Sequence, residues 1–125
     1  TAATMQSMLR DVVCTGTGEQ AQVKGMEIAG KTGTGYKVQS NGTYQTDAGG
    51  RKYFASFAGF FPASSPEVTI LVSIDEPDAQ SRDRFGGTAA APVFARLVPA
   101  VMHELGIEAT GAGTGCKAGA APAGH

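Results

Sequence analysis

Seven consecutive residues, Ala29-Gly30-Lys31-Thr32-Gly33-Thr34-Gly35, bring together one ammonium, two hydroxyls and three glycines. Glycine lets a ligand approach the backbone closely. Lysine supplies a fixed positive charge, and the threonines supply hydroxyls and backbone N–H groups. Such parts suit holding a carboxylate and polarising a carbonyl. Alternating residues precede the stretch (Val23, Met26, Ile28) and a polar loop follows it. The pattern predicts a strand over 26–34 whose exposed edge does the chemistry. The competing reading of the heptapeptide alone is a solvated lysine on a Gly-rich turn.

A second chemistry fits the same letters. Gly25-Met26-Glu27-Ile28-Ala29-Gly30-Lys31-Thr32 matches the phosphate-loop pattern G-x-x-x-x-G-K-T. That pattern works only between a buried strand and a helix. Residues 18–24 are too polar for the strand. Residues 33–42 hold three glycines and no apolar stripe, so they cannot start the helix. Glu27 would also put a negative charge inside the cradle. The nucleotide reading fails on context.

Composition narrows the partners. The chain has 125 residues, enough for one modest domain, and 42% are hydrophobic, enough for a core. A net charge of −1 without like-charge runs argues against nucleic acid or an anionic membrane surface. No stretch approaches the ~18 apolar residues of a membrane span. Eighteen glycines, about twice the usual ~7%, favour strands and turns over a helical bundle. The chain opens on Thr1 inside a helical pattern, so we expect a piece of a longer polypeptide. Cys14 and Cys116 fit no metal-ligand spacing, and no metal or cofactor is expected. Two unrelated thiols are the default reading of these cysteines. A mutual disulfide is the alternative, because pairing cannot be read from sequence.

The elements that must position the heptapeptide follow from periodicity. Met5, Met8, Leu9, Val12 and Val13 form one helical stripe, predicting a helix over 1–13 that buries this face. Thr1 or Thr4 would cap it, and Gly16 and Gly18 lie past its end. Residues 35–52 form a polar loop longer than a hairpin needs. Tyr36 and Tyr44 read as its packing anchors, with a cleft-lining role as the alternative. Residues 53–61 and 68–75 are two strands rich in aromatic and β-branched residues, joined tightly and therefore antiparallel. The second is nearly all apolar, so both its faces should be covered. A charged loop over 75–85 leads through Gly86-Gly87 to a helix over 88–105, capped by Thr88 and carrying Phe94, Leu97, Val98, Val101 and Leu105 inward. Pro99 should bend it. His103 and Glu104 read as solvated. Residues 110–125 hold almost no apolar bulk and should be disordered.

Five ordered blocks carry a resemblance. They are Gly-Thr-Gly at 16–18, Ala-Gly-Lys-Thr-Gly-Thr at 29–34, Ala-Ser-Phe-Ala-Gly-Phe-Phe-Pro-Ala at 55–63, Asp-Glu-Pro at 75–77, and Gly-Gly-x-x-Ala-Ala-Pro-Val-Phe ending at Phe94. Over 1–107 the chain resembles the C-terminal part of the transpeptidase domain of class B penicillin-binding proteins. The resemblance implies an α+β fold in which helices cover both faces of an antiparallel sheet, with 1–109 as the C-terminal portion of that domain. The family's motifs are S-x-x-K, S-x-N and K-T-G. Only Lys31-Thr32-Gly33 is present here, so the nucleophilic serine and its lysine must lie on sequence outside this chain.

The resemblance also implies the chemistry. The family's serine attacks a D-alanyl-D-alanine stem peptide and passes the acyl group to a neighbouring amine, cross-linking peptidoglycan. β-Lactams trap the acyl-enzyme. Carried over residue by residue, Lys31 and Thr34 are the catalytic candidates. Thr32, Gly33, Thr34, Gly35 and Tyr36 are the substrate-binding candidates. The Thr34 N–H would be one oxyanion donor, and Gly33 would keep the strand open to the ligand. A second polypeptide or a preceding part would carry the other two motifs. The setting would be the cell envelope, on the outer side of the cytoplasmic membrane. A β-lactam sensor or non-catalytic penicillin-binding module of the same fold is the alternative. A β-lactamase of the superfamily fits less well, because no added deacylating group is evident.

Overall fold

The computed structural model describes residues 1–78 and 81–116. Its elements are helix α1 (Ala2–Thr15), strands β1 (Ala29–Tyr36), β2 (Tyr53–Phe61) and β3 (Val68–Asp75), and helix α2 (Ala91–Leu105). A short 3-10 turn (Glu19–Ala21) follows α1, and a wide π-type turn (Gly86–Ala90) leads into α2. The strands form one antiparallel sheet in the order β1-β2-β3. The α+β class with an antiparallel sheet is as expected.

Alternation along β2 explains the layering. Ala55, Phe57, Gly59 and Phe61 are buried, whereas Phe54 and Ala58, at the alternate positions, are exposed. Phe57 and Phe61 of the buried set join Val13 of α1, Val72 of β3, and Phe94 and Val98 of α2 in one hydrophobic cluster. Phe94 meets Phe57 edge-on at 4.8 Å between centroids and Phe61 at 6.2 Å. Each fully buried phenylalanine contributes up to about 3 kcal/mol by leaving water. Both helices therefore lie on the same face of the sheet. The opposite face is bare among the described residues, and Leu71 of β3 is 67% exposed. The cover that the apolar run of β3 calls for on that face is supplied by no described residue.

Several boundaries differ from expectation for identifiable reasons. Strand β1 begins at Ala29 rather than residue 26, because Gly25 turns the chain at φ +93° and Met26 bridges back to Val23. It continues to Tyr36, which pairs with Tyr53 and stacks on it at 5.3 Å. In α1 only Val13 is buried, and Met5 and Met8 are exposed. The helix meets the sheet through its C-terminal end alone. Thr1 is its N-cap residue but makes no side-chain cap bond. Helix α2 starts at Ala91; the Thr88 hydroxyl accepts the Phe85 N–H within the preceding turn instead of capping α2. Leu97 and Leu105 lie off its buried face.

The cysteines pair: Cys14 and Cys116 form a disulfide with Cα atoms 5.4 Å apart. The expected disorder from residue 110 also fails for 110–116. Thr110 N–H donates to the Gly25 carbonyl at 2.8 Å, and Gly25 N–H donates to the Gly113 carbonyl at 2.8 Å. Backbone bonds and the cross-link do what apolar burial could not. Residues 117–125, the rest of that expectation and including His125, lie outside the described residues.

Candidate active site

Strand β1 is an edge strand; among the described residues its second edge pairs with no other strand. Its period of two sends Lys31, Gly33 and Gly35 to the bare face and Thr32 and Thr34 to the helix-covered face. The faces meet at the open edge. There the exposed Lys31 ammonium donates to the Thr32 carbonyl at 2.9 Å and lies 3.4 Å from the Thr32 hydroxyl. Among the described residues Lys31 has no carboxylate partner.

The threonines are held from the other side. The hydroxyls of Thr32 and Thr17 lie 2.7 Å apart. The Thr34 hydroxyl accepts the Gly86 N–H at 3.0 Å. Thr17, Thr32, Thr34, Phe85, Gly87 and Thr88 wall a cavity of about 460 Å³, large enough for a small ligand. Glu19 lies on the same wall, so the part suited to an anionic group such as a carboxylate is the threonine hydroxyls nearest the Lys31 ammonium, which reaches Thr32 without lining the cavity.

Close backbone approach builds this wall. A Cβ on Gly86 would stand 2.4 Å from the Ser56 carbonyl oxygen and 2.5 Å from that of Gly33. Gly86 therefore lies flat on the β1–β2 pair, which brings its N–H to Thr34. On the bare face, a Cβ on Gly33 would meet the Ser56 hydroxyl at 2.6 Å. The first neighbour that Gly33 spares is thus cross-strand Ser56, an internal contact that sequence alone did not reveal.

The other predicted residues separate. Gly35 does not line the cavity. Tyr36 stacks between Tyr53 and Tyr44, with the Arg51 guanidinium 4.5 Å above its ring. These contacts fit its packing-anchor reading. Sequence reasoning missed Thr17 as a partner of Thr32, although the Gly-Thr-Gly block was visible. It also missed that Gly86-Gly87 support the site as well as opening a helix.

Glu27, just before β1, is buried and anchored. One carboxylate oxygen accepts the Ser64 N–H at 2.9 Å and the Ser64 hydroxyl; the other lies 3.2 Å from the Arg10 guanidinium. The Ser64 hydroxyl bond, followed by the Ser64 amide and the Arg10 charge, holds its pKa below the usual carboxylate range against the opposing effect of burial.

The sequence, compared with known families, matches the penicillin binding protein transpeptidase domain over residues 1–99. The chain belongs to that family. Stage V sporulation protein D of Bacillus subtilis is 36% identical over 108 residues, covering 86% of this chain and 16% of that protein. Peptidoglycan D,D-transpeptidase FtsI of Escherichia coli K12 is 39% identical over 102 residues, covering 82% and 16%. Among solved structures, the apo transpeptidase domain of Burkholderia pseudomallei penicillin-binding protein 3 superposes with a TM-score of 0.69 at 36% identity, over 85% of this chain and 30% of that one. Penicillin-binding protein 3 of Mycobacterium tuberculosis in complex with ampicillin gives 0.68 at 32%, over 86% and 25%. The chain spans about a sixth of the length of these curated relatives. It is therefore part of a penicillin-binding protein transpeptidase domain, and the K-T-G of β1 is the one family motif it carries.

Proposed function

We propose that this chain supplies the K-T-G strand of a serine-type peptidoglycan D,D-transpeptidase. The carrying observation is the edge strand whose Thr32 and Thr34 line one cavity while the Lys31 ammonium reaches Thr32 from the exposed edge. The serine and its lysine base come from S-x-x-K and S-x-N sequence outside this chain. The serine oxygen bonds to the carbonyl carbon of the penultimate D-alanine, and the bond to the last D-alanine breaks. That alanine leaves with a proton. A second stem peptide's amine then takes the acyl group, and the serine regains its proton. A β-lactam ring opens by the same attack and stays attached.

Each residue has a role in this reading. Lys31 holds positive potential at the open edge. The Thr32 and Thr34 hydroxyls bind the carboxylate of substrate or drug. The strand's alternation gives the Thr34 N–H the same edge as the Thr32 carbonyl that Lys31 reaches, so this N–H serves as one oxyanion donor. A single such donor is worth about 10²–10³ in rate. A disulfide in the chain fits an oxidising compartment, in keeping with an extracytoplasmic cell-envelope setting.

Fluorescent penicillin tests the reading. The full-length protein should be covalently labelled, and Lys31→Ala should slow labelling by about 10² or more. This chain alone should take no covalent label, since it brings no nucleophile. Labelling of the isolated chain, or an unaffected Lys31→Ala protein, would refute the assignment.

A further inference from the structure

Residues 109–116 form a strap laid across the approach to β1. Its side chains are small, and Cys116 is the only one of any apolar size (Ala-Thr-Gly-Ala-Gly-Thr-Gly-Cys). Burial of apolar surface therefore cannot hold it. Four polar contacts do. Besides the two backbone bonds to Gly25, the Thr110 hydroxyl accepts the Glu27 N–H at 2.9 Å, and Arg10 donates to the Gly115 carbonyl at 2.8 Å. The Cys14–Cys116 disulfide closes the strap onto the last turn of α1. The chain leaves α1 two residues after Cys14, at Gly16, and the next residue is Thr17. Gly16 and Thr17 both line the cavity, and Thr17 holds the Thr32 hydroxyl. The Gln22 side chain, which donates to the Val13 carbonyl at 3.0 Å, ties the same helix end to the connector. Cys14 and Cys116 are both only half-buried, so a thiolate from solvent can reach them.

We propose that the 109–116 strap is a redox-controlled clasp: the Cys14–Cys116 bond fixes the end of α1 and thereby positions Thr17 against Thr32 for acylation. The releasing partner is a dithiol protein of the thiol–disulfide exchange class. One of its thiolates attacks a sulfur of the pair and forms a mixed disulfide. Its second thiolate then displaces the protein sulfur. Two electrons and two protons pass to Cys14 and Cys116, and the partner leaves as its own disulfide. The strap then rests on its polar contacts alone, against the entropy of ordering a glycine-rich segment. Cys14 and Cys116 act through Thr17 and are positioning residues. The clasp presupposes the acyl-transfer reading above.

The test uses the full-length protein, oxidised or treated with dithiothreitol. Hydrogen exchange over 109–116 reports the strap, and the rate of fluorescent penicillin labelling reports the site. Reduction should free both thiols, raise exchange over 109–116 and slow labelling about three- to tenfold, in line with a displaced positioning group. Cys14→Ser/Cys116→Ser should label slowly and ignore the reductant. In a Thr17→Val background reduction should have little further effect, because the route through Thr17 is already cut. Thr17→Ser should restore the redox response, which a general loss of stability would not track. Equal labelling of oxidised and reduced protein with the thiols free overturns the clasp. An undiminished redox effect in Thr17→Val overturns its route. Absence of labelling in the oxidised protein instead sinks the acyl-transfer reading itself. Should the double variant not fold, the reductant experiment on the unaltered protein decides alone.

Discussion

On the helix-covered side of β1, the Thr32 and Thr34 hydroxyls are tied to the Thr17 hydroxyl and the Gly86 N–H, and Gly86 rests directly on backbone. On the bare side, Lys31 is exposed and, among the described residues, reaches only its own strand. Two neighbours in sequence are therefore held by opposite means. The hydroxyls need fixed direction, which short-range contacts from two separate segments supply. The ammonium needs only to bring charge to the open edge, and a four-carbon stem does that from the exposed side. Stability and activity should consequently come apart on one face and travel together on the other.

Lys31→Ala should sharpen this contrast most. It should slow penicillin labelling of the full-length protein by about 10²–10³, roughly 3–4 kcal/mol of transition-state stabilisation. The melting temperature should stay nearly unchanged, because Lys31 is exposed and forms no ion pair with any described residue, and such a side chain contributes little to the fold. A large drop in melting temperature would mean that Lys31 is structural and the two sides alike.

Gly86→Ala probes the opposite face. Its new methyl has to displace the carbonyls of Ser56 and Gly33, which belong to backbone and cannot swing aside. Overpacking of this kind costs about 1–3 kcal/mol. Thermal unfolding should register the loss, and labelling should fall with it as the Gly86 N–H leaves Thr34. A variant with wild-type stability and labelling would show that Gly86 is not pressed onto the strands.

The sequence disclosed the two faces unequally. Lys31, Thr32 and Thr34 stand in a short motif, and strand period alone assigns them to alternate sides. The strands at 53–61 and 68–75 were legible to the residue because their aromatic and β-branched runs end at proline or charge. The contacts that fix the threonines were not legible. Thr17 lies 15 residues from Thr32 and Gly86 lies 52 from Thr34, so only the folded chain brings them together. The Cys14–Cys116 bond spans 102 residues and was likewise open to either reading. Apolar stripes misled where their cover is supplied by no described residue, as at Met5, Met8 and Leu71. Periodicity says that a face is apolar without saying what lies against it.

Gly33→Ala gives a smaller effect and tests which neighbour makes glycine necessary there. The added methyl meets the Ser56 hydroxyl, the end of a side chain that can rotate, so the cost should be about 1 kcal/mol. Combining it with Ser56→Ala should recover most of that stability in a double-mutant cycle. If labelling then stays slow while stability returns, Gly33 also clears space for the ligand. If both return, its role is confined to the β1–β2 contact.

The smallest effect on labelling is expected away from the cavity, at Glu27, and it separates the support of β1 from its chemistry. Its carboxylate accepts two bonds from Ser64 and faces Arg10, and its pKa is depressed in the folded chain. A depressed carboxylate stabilises the fold fully above the unfolded value, near 4.3, and the contribution disappears as pH falls through the lower folded value. Thermal stability should therefore decline as pH drops below about 4.5, with Glu27 contributing part of the slope. Glu27→Gln should cost about 1–2 kcal/mol at neutral pH, since hydrogen bonds to a charged group exceed neutral ones and the half-exposed Arg10 adds little. The same substitution should flatten the acid limb of the stability curve. Labelling per folded molecule at neutral pH should hardly change, because Glu27 reaches neither the cavity nor Lys31. A variant that keeps the full acid slope would assign that slope to other carboxylates. One that labels slowly while fully folded would join this anchor to the hydroxyl side of β1.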